Sequence, residues 1–200
     1  MPADGWMSAR KQSKKEGQTP MRMNTYTGKR FDPMQMTPEE VSLRDIAHAL
    51  SLLCRGGGHM KYFYTVGLHS LNCAREAASR GWSDRLVLAC LLHDASEAYL
   101  SDIIRPVKVH LSNYLEIEEQ IMQTILTHFH LGDLTPEEHA LWHQIDDEML
   151  SQELKSLMNG EHEMIPVPLT SEPDFRERPH EEVEEEFYKL AQSLVQKMQA

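Results

Sequence analysis

The sequence predicts an all-α protein, and three observations carry that prediction. Apolar residues recur at helical spacing in successive stretches, strand signals are scarce, and the helix-starting string Thr-Pro-Glu-Glu occurs twice, at 37–40 and 135–138. After a polar head, residues 25–33 read as a short extended or turn segment. Thr37 then caps a first helix with Pro38 at its first position, and Val41, Ile46, Ala49, Leu50 and Leu53 follow as its apolar face. Gly56, Gly57 and Gly58 stop it. A second helix runs from about residue 65 to 80 and ends at Gly81. Ser83 caps a third that reaches about Tyr99. Residues 101–109, with Pro106, form a connector. The fourth helix, about 112–131, carries Leu115, Ile121, Met122, Ile125 and Phe129 and stops at Gly132; the fifth starts at the second capping string and runs to about Met158. Residues 159–178 hold Pro166, Pro168 and Pro173 and read as a long loop, and Pro179 opens a last amphipathic helix built on Val183, Phe187, Leu190, Leu194 and Val195. About six helices are expected, with no internal repeat.

With 200 residues at 40% hydrophobic content, one domain with a proper core is expected over residues 23–200. Residues 1–22 carry five basic against two acidic side chains, a net of +3, and are expected to be a disordered basic extension. That leaves −14 of the formal −11 on the remainder, a surface that repels polyphosphate backbones, so no nucleic-acid partner is expected. No apolar run is long enough to span a bilayer and no signal peptide is recognised, so no membrane association is expected. Cys54, Cys73 and Cys90 lie in apolar helical contexts without Cys-x-x-Cys spacing, which favours a reducing cytoplasm over a disulfide framework.

The chemistry centres on His93 and Asp94, which follow the apolar run from Leu86 to Leu92. Burying an imidazole and a carboxylate there is costly without a partner, and a metal ion is an effective one. His69 upstream and Asp146 downstream complete a His, His-Asp, Asp set of the right size for one divalent ion. Mixed nitrogen and oxygen donors suit Co²⁺, Mn²⁺, Zn²⁺, Ni²⁺ or Fe²⁺ better than Mg²⁺ alone, with a second ion such as Mg²⁺ left open. Glu97 emerges one turn after the pair, and Asp102 adds another carboxylate. Arg105 and Lys108 bring cations close to these acids, and Arg55 stands beside three glycines whose N–H groups could approach an anion. His48 and His59 are further candidates for contact with a ligand. His139 and His143 read as a solvated face, since no glutamate follows His139 as a zinc protease would require. No Walker loop is present.

Arg55, His69-Ser70, the run from Leu91 to Lys108, and Ile145-Asp146 with Glu153 together resemble the HD-domain phosphohydrolase superfamily. The resemblance covers about residues 25–158 and is to the nucleotidase branch, which includes bacterial deoxyribonucleotidases, a phage dATP triphosphohydrolase and the oxetanocin-A triphosphate phosphohydrolase. It implies an HD-type helical bundle and a metal-dependent attack of water on phosphorus, with a nucleoside mono- or triphosphate or an analogue as substrate. By position, His69, His93, Asp94 and Asp146 resemble the metal ligands, and Glu97 and Asp102 the carboxylates serving water and leaving group. Arg55 and Lys108 resemble phosphate contacts, Pro106 lies where relatives abut the sugar, and His59 is placed with these substrate-binding residues. Several relatives carry tryptophan directly after the arginine that Arg55 matches, where this chain has Gly56. A homo-oligomer is expected, with the amphipathic C-terminal helices as its interface. A nucleotide-binding regulatory module without turnover, and an alarmone or cyclic-dinucleotide hydrolase, stand as alternatives.

Overall fold

The structure is a computed structural model that describes residues 21–160, 163 and 165–199. The expected basic extension lies outside these residues except for Met21 and Arg22. The segment expected to be extended forms a small antiparallel hairpin, β1 (Met23–Asn24) and β2 (Arg30–Phe31). Its tip is tied down by Thr27, whose N–H and hydroxyl donate to the two Asp45 carboxylate oxygens at 2.6 and 2.9 Å.

The first helix begins later than its sequence signal indicates. Thr37 and Glu40 do form their reciprocal cap, with Thr37 N–H donating to Glu40 Oε2 at 2.8 Å, but only a single tight turn follows. Lys29 Nζ donates to the carbonyls of Glu39, Glu40 and Val41, so those oxygens are satisfied outside a helix, and Ser42 caps a fresh start. Helix α1 then spans Leu43–Leu52. Helix α2 (Val66–Ser79) is capped by Thr65, and α3 (Asp84–Leu92) by Ser83.

The expectation of one helix from Ser83 to Tyr99 is corrected by the structure. The ladder breaks after Leu92, and bonds of the shorter i to i+3 type carry the chain into the separate α4 (Glu97–Leu100). Within the connector, Arg105–Lys108 forms a further short helix, α5. Helices α6 (Ser112–His128), α7 (Pro136–Leu157) and α8 (His180–Gln199) follow. Among the described residues the architecture is therefore all-α apart from the hairpin, with six longer helices and two four-residue ones.

Helix α2 is the centre of the bundle. It packs on α3 along most of its length and also meets α1, α7 and α8. At Gly67 an added Cβ would lie 3.2 Å from the Leu50 carbonyl group, so the absence of a side chain there allows α1 and α2 to approach closely. Leu68, Leu71, Leu88, Leu91, Leu92, Ile145 and Phe187 form a fully buried core between the helices. Helix α8 turns Val183, Phe187, Ala191 and Leu194 inward against α1 and α3. No helix among the described residues is long and apolar enough to cross a membrane.

Because α2 is surrounded, its polar residues must find partners inside. Glu76 is fully buried and accepts from Arg80 Nε at 2.7 Å, from the N–H groups of Thr170 and Ser171 at 2.9 and 2.7 Å, and from the Ser171 hydroxyl at 2.5 Å. Asn72 pairs with the backbone of Asp174 in both directions, at 2.9 and 3.0 Å. Two side chains thus fasten the 170–174 stretch across α2.

Burial raises the Glu76 pKa, but the donors from Ser171, Thr170 and Arg80 outweigh it and bring it from 4.5 to about 2. A carboxyl whose pKa is depressed on folding stabilises the fold above its unfolded value, and that contribution fades as pH falls through the folded one. After discounting for screening, the contribution is roughly 1–2 kcal/mol near neutrality. Glu76→Gln is expected to lower stability by about that amount at pH 7 in urea unfolding. The difference from the parent should shrink between pH 4.5 and 2.

Candidate metal centre

Three helices and one turn bring the four expected metal ligands together. His69 stands in the first turn of α2, His93 closes α3, Asp94 follows in the turn before α4, and Asp146 lies near the middle of α7. His69 Nε2 is 3.2 Å from His93 Nε2, 3.2 Å from Asp146 Oδ1 and 3.7 Å from Asp94 Oδ2. His93 Nε2 is 3.2 Å from Asp94 Oδ2 and 3.6 Å from Asp146 Oδ1. A four-coordinate ion with bonds of about 2.1 Å sets its ligand atoms about 3.4 Å apart, so this spacing fits one small cation.

The protonation pattern makes the same demand. His93 Nδ1–H donates to the Cys90 carbonyl at 2.8 Å, and His69 Nδ1–H donates to Glu153 Oε1 at 2.6 Å. Both partners can only accept, so in each neutral ring the hydrogen is on Nδ1 and the Nε2 lone pair faces the cluster. Two lone pairs and two carboxylate oxygens then share a largely buried space, and only positive charge reconciles them. The titration behaviour reflects this. Burial disfavours charging His93, yet Asp94 and Asp146 raise its pKa well above the ordinary imidazole value. Burial and Arg55 oppose His69 in the same way, and Glu153 and Asp146 raise it. Burial would raise the two aspartates, but His93 beside Asp94, and His69 and His93 beside Asp146, hold both well below the carboxylate range.

A buried shell supports these groups. Glu153 is fully buried; its Oε1 also accepts from Tyr64 OH at 2.9 Å, and its Oε2 accepts from Arg55 Nε at 3.0 Å. Tyr64 OH in turn accepts from Asn72 Nδ2 at 3.1 Å, which links the centre to the fastened 170–174 stretch. The Cys73 thiol, one turn beyond His69, lies 3.5 Å from His69 Nε2. Cys73, Tyr64 and Asn72 were not singled out as site residues in the sequence; of the three, only Cys73 carried a signal, its spacing of four from His69.

The other expected residues surround a cavity of about 420 Å³ that opens on Asp94 and Asp146. Arg55, expected as a phosphate contact, pairs its guanidinium with carboxylates: Nη1 reaches Asp94 Oδ2 at 3.1 Å and Nη2 reaches Asp146 Oδ1 at 3.4 Å. Asp102 Oδ2 accepts from Gly56 N–H at 2.8 Å and so anchors the glycine turn, where Gly56 and Gly57 hold φ of 64° and 62°. Lys108 Nζ pairs with Glu118 at 2.6 Å, and Pro106 and the exposed His59 lie on the cavity wall. Arg105 bridges Asp146 and Asp147 at 3.1 and 2.6 Å. Glu97 is 5% exposed, lines the cavity, and its Oε2 has no hydrogen-bond partner. His48 is elsewhere, stacked on Tyr26 and bonded to Glu184. A second cavity of about 640 Å³ reaches the same two aspartates from the side of Trp142 and His143.

Comparison with known proteins gives the geometry a family. The chain is 32% identical over 120 residues to the uncharacterized protein YfdR of Escherichia coli, covering 59% of this chain and 65% of that one. It is 35% identical over 115 residues to an uncharacterized protein of Rhodobacter capsulatus, covering 55% of this chain and 59% of that one. In both cases less than two thirds of the relative's own length is spanned. The HD domain family matches residues 58–197, which hold all four converging ligands. The chain belongs to the HD domain family.

Proposed function

We propose that this protein is a metal-dependent phosphohydrolase that removes phosphate from nucleoside mono- or triphosphates. The observation that carries the reading is the convergence of His69 Nε2, His93 Nε2, Asp94 Oδ2 and Asp146 Oδ1, each within 3.7 Å of at least two others. A divalent transition ion bound there supplies Lewis acidity toward a phosphoryl oxygen and acidifies water.

The chain's own residues do the rest. Burial, then the charges of Asp94 and Asp102, raise the Glu97 pKa well above the ordinary carboxyl value, against Arg55 and Lys108. Glu97 lines the cavity wall beside the aspartates, and its unpartnered Oε2 is free to meet the substrate, where it serves the departing oxygen as proton donor. Asp102 fixes the glycine turn that forms one edge of the cavity. Arg105 and Lys108 line both cavities and place positive charge where a phosphate would lie against the aspartates. Arg55 is shared among three carboxylates, keeps their charge balanced, and lines the cavity beside them. The far wall is apolar, with Met60, Ile104, Leu150 and Leu154, and suits the uncharged part of a nucleotide.

Asp94→Ala is expected to abolish both metal content and phosphate release. Glu97→Gln should keep its metal and lose turnover by about a hundredfold or more. Elemental analysis and ³¹P NMR of the products from a nucleotide panel check both, and stoichiometric metal in the Asp94 variant would contradict the ligand assignment. Tyr64→Phe removes one donor to Glu153 and is expected to weaken metal binding about tenfold in a chelator competition. An unchanged affinity would show that Glu153 is held well enough without it.

A further inference from the structure

We propose that Cys73 is an additional, sulfur ligand of the same centre, and that it makes the centre prefer thiophilic ions such as Zn²⁺ or Co²⁺ over Mn²⁺ and Mg²⁺. The inference rests on the reading of His69, His93, Asp94 and Asp146 as ion ligands, and adds a fifth donor to them.

Cys73 follows His69 by one turn of α2, so the two side chains lie on the same face of that helix. Its Sγ, with one ring nitrogen each of His69 and His93, forms a group whose atoms all lie within 4.8 Å of one another. The separation from His69 Nε2 is 3.5 Å. With five donors around one ion, neighbouring ligands subtend about 90–120°, so a sulfur bond of about 2.3 Å and a nitrogen bond of about 2.1 Å set those two atoms about 3.1–3.8 Å apart. The observed spacing fits two ligands of one ion, and in the absence of the ion it is that of a thiol hydrogen bond to the same nitrogen.

Simple packing explains less. A buried cysteine usually serves as a small hydrophobe, and Cys73 at 1% exposure could do so. Packing alone does not require its sulfur to point at the nitrogen lone pair that closes the metal cluster. Coordination would displace the thiol proton, which is released to solvent as the ion binds. A thiolate favours Zn²⁺, Co²⁺ or Fe²⁺ over the harder Mn²⁺ and Mg²⁺, whereas a centre of two imidazoles and two carboxylates discriminates much less.

The test uses the full chain loaded with Co²⁺. The parent is expected to show visible ligand-field bands together with a near-ultraviolet sulfur-to-cobalt charge-transfer band. Cys73→Ser, which is close in size, should keep the former and lose the latter. In a chelator competition the same variant should bind Zn²⁺ about 10–100-fold more weakly and Mn²⁺ unchanged. Cys73→Ala, checked for native helicity, is expected to repeat both results and covers the case in which the serine variant does not fold. Ligand-field bands without a charge-transfer band in the parent, or a charge-transfer band that survives Cys73→Ser, would overturn the role of Cys73 and leave the other four ligands standing. Absence of any cobalt band would overturn both readings.

Discussion

Four acceptor atoms face one another in a space that is largely closed to water, and the rest of the molecule is arranged around that fact. Two imidazoles present lone pairs because their other nitrogens are committed, one to the Glu153 carboxylate and one to the Cys90 carbonyl. Two aspartates add negative charge between them. Unbalanced, such a cluster would cost several kcal/mol, which would consume much of the stability of a domain this size. Arg55 supplies part of the compensation, and a divalent cation would supply the remainder.

The scaffold holds these groups by burying polar residues on a helix that is covered on nearly every side. Helix α2 contributes His69 to the cluster, Asn72 and Glu76 to the fastening of the 170–174 stretch, and Cys73 to the edge of the centre. Through Asn72 and Tyr64 the fastened stretch is connected to Glu153, and through Glu153 to the ring of His69. The orientation of a ligand at the centre thus depends on backbone contacts far along the chain. His93 at the end of α3 and Asp94 in the turn that follows both reach the cluster, and the turn carries the chain from there into α4.

Much of this was legible in the sequence, for identifiable reasons. The helical class and the caps at Ser83 and Thr135 follow from local chemistry, and the structure has them. The His-Asp pair was legible because charged residues after an apolar run call for a partner. The break after Leu92 was not, since the apolar run and the residues beyond it share one helical period. Nor was the late start of α1, where Lys29, distant in sequence, satisfies the carbonyls that a helix would otherwise use. Arg55 was legible as a cation near an anion site, but its three carboxylate partners depend on how α7 and the turn before α4 come together. Tyr64 and Asn72 carried no local signal, because their roles exist only through tertiary contacts.

The central claim is that one cation is held jointly by His69, His93, Asp94 and Asp146. Anomalous diffraction at the absorption edge of the metal, from crystals of the metal-loaded protein, tests it most directly. The account predicts a strong peak about 2.1 Å from each of those four donor atoms. A peak outside that cluster, for example between His139 and His143, with none inside it, would contradict it.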